Sequence, residues 1–228
     1  MMFKDNLYEI KERIAVAAKK SGRKPEDITL VAVTKTISPE RIKEAINSGI
    51  TDFGENKVQE LLSKYDEIKN NVNWHMIGHL QTNKVKNIVE KIKMIHSVDS
   101  IRLVEEIDKR AKKIGNKIDI LIEINIGYEA SKYGILPEKL NHILEQTVIY
   151  TNVCIKGLMC IAPYVENPEQ NRKYFENMYN MYIDMKSNPR HNMDVRFLSM
   201  GMSGDYEIAI EEGANIVRIG SSLFGNRG

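Results

Sequence analysis

Eight short runs rich in β-branched residues alternate with amphipathic stretches along this chain of 228 residues, and the alternation persists from one end to the other. The candidate strands span 28–34, 51–54, 73–77, 94–98, 118–125, 155–160, 195–200 and 215–219. Strands separated by helices pair in parallel and have both faces covered, which explains why these runs read as continuously apolar. Eight such units in this length predict a closed (β/α)8 barrel of the TIM type, an α/β fold, in preference to an open doubly wound sheet. The first strand is not followed by the GxGxxG turn of a dinucleotide fold. The six prolines are scattered and no Pro/Gly/Ser-rich tract marks a hinge, so one domain over 1–228 is expected. An additional N-terminal amphipathic helix is expected over 3–20.

Local signals punctuate the helices. Ser38-Pro39 and Asn167-Pro168 each read as an N-cap followed by proline at the first helical position. Asn56 with Gln59 reads as a capping box, and Gly49, Gly115 and Gly213 stand where helices should stop.

Lys plus Arg (33) nearly balances Asp plus Glu (31), and the charges intersperse, so neither nucleic acid nor a membrane surface is an expected partner. The first twenty residues form a charged amphipathic pattern without an apolar signal core, which predicts a cytoplasmic protein. Cys154 and Cys160 have neither a zinc spacing nor a disulfide framework and are expected to be buried, reduced thiols.

Barrels of this kind place their sites at the C-terminal ends of the strands. Lys35 closes the run Leu30-Val31-Ala32-Val33-Thr34-Lys35, at the end of what reads as a fully buried strand. Desolvation lowers a lysine pKa, and such an amine condenses with aldehydes to form Schiff bases. The plain alternative is a solvated lysine beyond a strand end. After the seventh strand comes Ser199-Met200-Gly201-Met202-Ser203-Gly204, and the eighth ends Arg218-Ile219-Gly220-Ser221-Ser222. Two small-residue loops on these two strands predict a phosphate cradle, with Gly201 and Gly220 admitting the phosphate and Ser203 and Ser221 donating to it. Ser203 could equally be an ordinary N-cap.

A Schiff-base lysine and a phosphate cradle in one barrel match the two handles of pyridoxal 5'-phosphate. Arg218 lies two residues before Gly220, hence on the same strand face, and could donate to the pyridine nitrogen. A permanently protonated arginine would leave that nitrogen unprotonated and weaken the ring as an electron sink. The competing role for Arg218 is an interior ion pair with Glu123.

The segments VAVTKTIS, FGENKVQE, WHMIGHLQTNK, HSVDS, SKYGI, GLMCIAP, LSMGMSGDYEIAI and VRIGSSLFG, in this order, resemble the pyridoxal phosphate homeostasis protein family over nearly the whole chain. The resemblance implies a barrel of the alanine-racemase N-terminal type holding the cofactor as an aldimine on Lys35. It implies a ring-nitrogen contact at Arg218, phosphate loops at Gly201, Met202, Ser203, Gly220 and Ser221, and a ring neighbour at Asn56. It further implies a part in vitamin B6 homeostasis without a settled catalytic activity. A barrel that stores the aldehyde cofactor and passes it to apo-enzymes is the first functional reading.

Other residues admit weaker readings. His75 and His79 flank a strand end, where a four-residue spacing does not put them on one face, so no metal site is expected; either could line the pocket mouth, His79 in preference. Lys132 could be a second aldehyde acceptor or simply a solvated loop lysine. The Tyr and Met residues over 174–185 have helical spacing and are expected to pack on the sheet, with client docking as the alternative. Two enzyme readings compete with a binding and delivery role: a racemase or decarboxylase using the same cofactor, and a Schiff-base aldolase acting on a sugar phosphate. The racemase resemblance implies a separate C-terminal β-domain, which a chain reaching Gly228 soon after its eighth strand is expected to lack. A monomer is expected because the site is complete within one chain.

Overall fold

The computed structural model describes residues 3–68 and 72–225; the outermost ends of the 1–228 span lie outside the described residues. Eight parallel strands close on themselves in chain order. They are β1 (Thr29–Val33), β2 (Asp52–Glu55), β3 (Asn73–Met76), β4 (Met94–Val98), β5 (Ile118–Ile124), β6 (Val153–Cys160), β7 (Met193–Ser199) and β8 (Ile216–Ile219). Each lies within two residues of its expected position. Closure runs through β1 and β8, where Thr29 aligns with Ile216 and Val31 with Arg218.

The helices are α1 (Phe3–Lys20), α2 (Pro39–Asn47), α3 (Val58–Tyr65), α4 (Val85–Ile88), α5 (Ile101–Lys113), α6 (Leu140–Thr147), α7 (Arg172–Ser187), α8 (Tyr206–Glu211) and α9 (Ser221–Phe224). Strand side chains alternate between two environments, as the two-residue period requires. One set, including Phe53, Trp74, Ile95, Leu158 and Val217, joins the helices in the main apolar layer. The other fills the barrel with a small cluster of Met94, Leu121 and Met159, against which Ile161 and Phe197 pack. The interior is therefore only partly apolar, and polar side chains occupy much of the rest.

A bulge in β6 adjusts this alternation. The register slips against both neighbours around Ile155 and Gly157. Gly157 has φ +149°, and a Cβ there would lie 1.8 Å from the Phe197 carbonyl oxygen, so only glycine allows β6 and β7 to meet.

α1 covers the exact span expected and buries Phe3, Leu7, Ile10, Ile14, Ala17 and Ala18 as one stripe. It lies on α8 and α9, with the Phe3 and Phe224 rings 5.5 Å apart and Asn6 donating to the Leu223 carbonyl at 3.1 Å. α7 turns Phe175, Met178, Tyr182 and Met185 inward, as the spacing over 174–185 predicts.

Two capping expectations need correction. Asn56 is not a cap: β2 runs to Glu55, Asn56 bends, and Lys57 is the residue before α3. Ser38 holds the cap position before Pro39, but its side chain makes no capping bond; it hydrogen-bonds Glu40 and holds that carboxyl below its usual range. Asn167 does cap, accepting from the Glu169 N–H at 3.1 Å, although it opens a 3-10 turn before α7. Cys154 and Cys160 are free and buried. Among the described residues no helix is long and apolar enough to cross a membrane, and no cluster of three metal-ligating side chains exists.

Candidate cofactor site

β1 ends at Val33, so Lys35 stands two residues beyond it and is half-buried, less enclosed than the run of apolar residues predicts. Its backbone is held on both sides. The Thr34 hydroxyl donates to Glu55 Oε1 at 2.7 Å, and Lys64 Nζ donates to the same oxygen and to the Thr34 carbonyl, both at 2.7 Å. Thr36 takes a left-handed φ of +64°, and its N–H donates to Glu60 Oε2 at 2.8 Å. A β-branched residue adopts that conformation only when its surroundings impose it. Burial pushes the Glu55 carboxyl up, while Lys64 and Thr34 oppose the shift.

Lys35 opens onto a cavity of about 360 Å³ at the C-terminal ends of the strands, shared with Arg218, Ser203, Gly220, Ser221 and Lys132. Gly201 and Asn56 are absent from its lining. Gly201 acts on the loop itself: at φ +88° it lies so close to α8 that a Cβ would meet Ala209 Cβ at 2.6 Å. Asn56 sits at the end of β2 with its Oδ1 buried and without a partner among the described residues.

The loops after β7 and β8 are joined. Ser203 Oγ accepts from the N–H groups of Gly220 (3.3 Å) and Ser222 (3.4 Å), and the Ser222 hydroxyl donates to the Ser203 carbonyl at 3.3 Å. Ser203 is not the N-cap of α8. Asp205 occupies that position, accepting from the Met202 N–H at 2.7 Å and from Asn171 Nδ2 at 2.9 Å. The N–H groups of Ser203, Gly204 and Ser221 meet no acceptor among the described residues. Three unpartnered donors around a glycine-lined recess suit an anion.

Arg218 is 3% exposed. Its Nη1 donates to Ser199 Oγ at 2.7 Å and its Nη2 to the Cys160 carbonyl at 2.8 Å. Burial pushes the guanidinium down from its ordinary value and the Cys160 thiol up to about 12. No ion pair joins Arg218 to Glu123 among the described residues. Burial, with the nearby Asp99 charge, raises the Glu123 carboxyl to about 7 against the pull of Arg218. Behind Ser199 the contacts continue: Oγ to His96 Nδ1 at 3.0 Å, His96 Nε2 to His75 Nδ1 at 2.8 Å, and His75 Nε2 to Asp52 Oδ1 at 2.9 Å. His79 does not line the cavity; its ring stacks on Tyr133 at 3.7 Å and its Nδ1 lies 3.2 Å from Asp99 Oδ2. Lys132 is exposed but reaches the cavity wall.

Sequence reasoning gave no role to Ser199, His96 or Asp52, and weighed His75 only as a pocket-mouth residue. The one legible signal, for Ser199 alone, was its two-residue step to Gly201, the same step that placed Arg218 beside Gly220.

The sequence profile of the alanine racemase N-terminal domain matches residues 6–228. A pyridoxal phosphate homeostasis protein of Aquifex aeolicus is 46% identical over 224 residues, 98% of this chain and 97% of that one. The chain belongs to the pyridoxal phosphate homeostasis protein family. A member from Escherichia coli K12 is 35% identical over 227 residues, 97% of this chain and 95% of that protein. The structure of PipY from Synechococcus elongatus with PLP bound superposes with a TM-score of 0.81 at 33% identity, covering 95% of this chain and all of PipY. An alanine racemase of Clostridium difficile shares the fold at TM-score 0.76 and 16% identity; this chain spans 59% of it.

Proposed function

We propose that this protein holds pyridoxal 5'-phosphate covalently through Lys35 and serves as a carrier of the cofactor in vitamin B6 homeostasis. The observation that carries this reading is one cavity lined by an amine, an interior guanidinium and a two-loop anion cup. The residues fit the group: the cup has three unpartnered N–H donors, and its glycine, Gly220, leaves only 3.3 Å between a built Cβ and Val33 Cβ. Bound there, the cofactor would supply an aldehyde able to condense with amines.

In this reading Lys35 Nζ adds to the aldehyde carbon and one water leaves; water or another amine reverses the bond. Ser203, Gly204 and Ser221 bind the phosphate through backbone N–H groups, Gly201 and Met202 shape that loop, and the Ser221 hydroxyl adds a donor. Arg218 donates to the ring nitrogen. Release to apo-enzymes is the use that a reversible bond on a half-buried lysine suits, and the homeostasis names of the relatives favour a carrier over a catalyst.

The test is reduction of the cofactor-loaded protein with borohydride followed by peptide mapping. A phosphopyridoxyl group on the peptide containing Lys35 is expected; label on Lys132 or elsewhere, with Lys35 unmodified, would sink the assignment. Lys35→Ala should abolish the label yet keep measurable noncovalent affinity through the cup. Solvent exchange of an amino-acid α-proton at catalytic rates would instead favour a racemase.

A further inference from the structure

Arg218 is a buried cation without a carboxylate in direct contact, and an uncompensated interior charge costs several kcal/mol unless hydrogen bonds answer it. Its answer is a file of side chains across the barrel interior. Ser199 and His96 are completely buried, and His75 is 3% exposed. The file ends at Asp52, the first residue of β2, at the opposite end of the barrel from Lys35.

With both rings neutral, the protons in this file have one consistent arrangement. Asp52 also accepts from Thr51 Oγ1 at 2.7 Å and Asn73 Nδ2 at 3.1 Å. Burial opposes its ionisation, but His75, Thr51 and Asn73 together hold the carboxyl below its usual range. As a carboxylate it can only accept, so His75 carries its proton on Nε2. A neutral His75 then accepts at Nδ1, which requires His96 to donate from Nε2. His96 in turn accepts at Nδ1 from the Ser199 hydroxyl. Burial, with the nearby Arg218 charge, drives the His96 pKa well below its ordinary value, in keeping with a neutral ring. Ser199 Oγ keeps a lone pair for Arg218 Nη1. Every donor thus points from Arg218 toward Asp52. The reverse arrangement would turn a bare His75 nitrogen toward the Asp52 carboxylate and strand the Ser199 proton.

We propose that Ser199, His96, His75 and Asp52 form a polarised hydrogen-bond relay that positions Arg218 as the donor to the cofactor's ring nitrogen. This rests on the cofactor reading above. The relay fixes Nη1 of the guanidinium while the Cys160 carbonyl holds Nη2, which leaves the other N–H groups for the cavity. It also couples the guanidinium to a distant carboxylate, so no acid need stand beside the ring and compete for Arg218. Ser199 and the two histidines are positioning residues.

The test has two arms. In cofactor-free protein, 15N spectra of labelled histidines at pH 7 should show Nε2 protonated and Nδ1 bare in both His75 and His96; a proton on Nδ1 of either ring overturns the relay. In the second arm, Ser199→Ala and Asp52→Asn are compared with wild type for cofactor affinity and visible absorption. Ser199→Ala should weaken binding roughly tenfold and shift the absorption band. Asp52→Asn, far from Lys35, should weaken it about threefold and disturb the His96 signals through His75. Wild type that binds while both variants match it in affinity, band and tautomer overturns the relay alone. Wild type that takes up no cofactor overturns the carrier reading, and with it the role assigned to the relay, even if the tautomers are as stated.

Discussion

Lys35, Ser203, Arg218, Gly220 and Ser221 could be read from the chain because strand periodicity tells which side chains share a face. Lys35 follows Val33 and Arg218 precedes Gly220 by two residues, and all four line one cavity. The capping role given to Asn56 failed at the same scale, because β2 runs to Glu55 and Lys57 is the residue before α3. The ion pair of Arg218 with Glu123, the competing role, does not form among the described residues, and Glu123 is a buried carboxyl raised to about 7. Native protein therefore keeps this proton to higher pH than the unfolded chain does. The stability tied to it is full below the unfolded value and is lost as pH rises through about 7. Between pH 5 and 8 in cofactor-free protein, wild type should lose about 2 kcal/mol relative to Glu123→Gln. Urea denaturation at the two pH values measures this, and parallel profiles would mean that Glu123 ionises without cost.

At the scale of elements, periodicity located every strand and the N-terminal helix, and turn and cap residues marked a start or stop for α2, α3, α5, α7 and α8, since these signals depend on residues close in sequence. The helix stops at Gly49, Gly115 and Gly213 are all at positive φ, as a left-handed C-terminal residue requires. The β6 bulge was not legible. Gly157 is an inconspicuous glycine until Phe197, forty positions on, is laid against it. Gly157→Ala must either part β6 from β7 or distort the bulge, and it should cost at least about 3 kcal/mol. Gly204→Ala, with open space around it, should stay within about 0.5 kcal/mol. Chemical denaturation of the two variants side by side checks the contrast; equal midpoints would show that the bulge can be refashioned cheaply.

For the whole molecule, the site joins β1, β7 and β8 with the loops beyond them, so a bound cofactor ties the place where the barrel closes. Linkage then predicts that free cofactor at about 100 times Kd adds about 2.7 kcal/mol and raises Tm by roughly 5–10 °C. A thermal scan with and without cofactor tests this; no shift at saturation would mean that binding does not discriminate the folded barrel from the unfolded chain. By itself the sequence determined the number of strands, their parallel pairing, the N-terminal helix and the residues at the mouths of the first, seventh and eighth strands. All of these follow from periodicity, turn chemistry and spacing along one segment. The tertiary structure alone decided how deeply Lys35 is buried, that Arg218 answers to Ser199 rather than Glu123, and that two histidines connect it to Asp52. Those contacts join five strands that span most of the sequence, and no local pattern encodes which interior side chains meet once the barrel has closed.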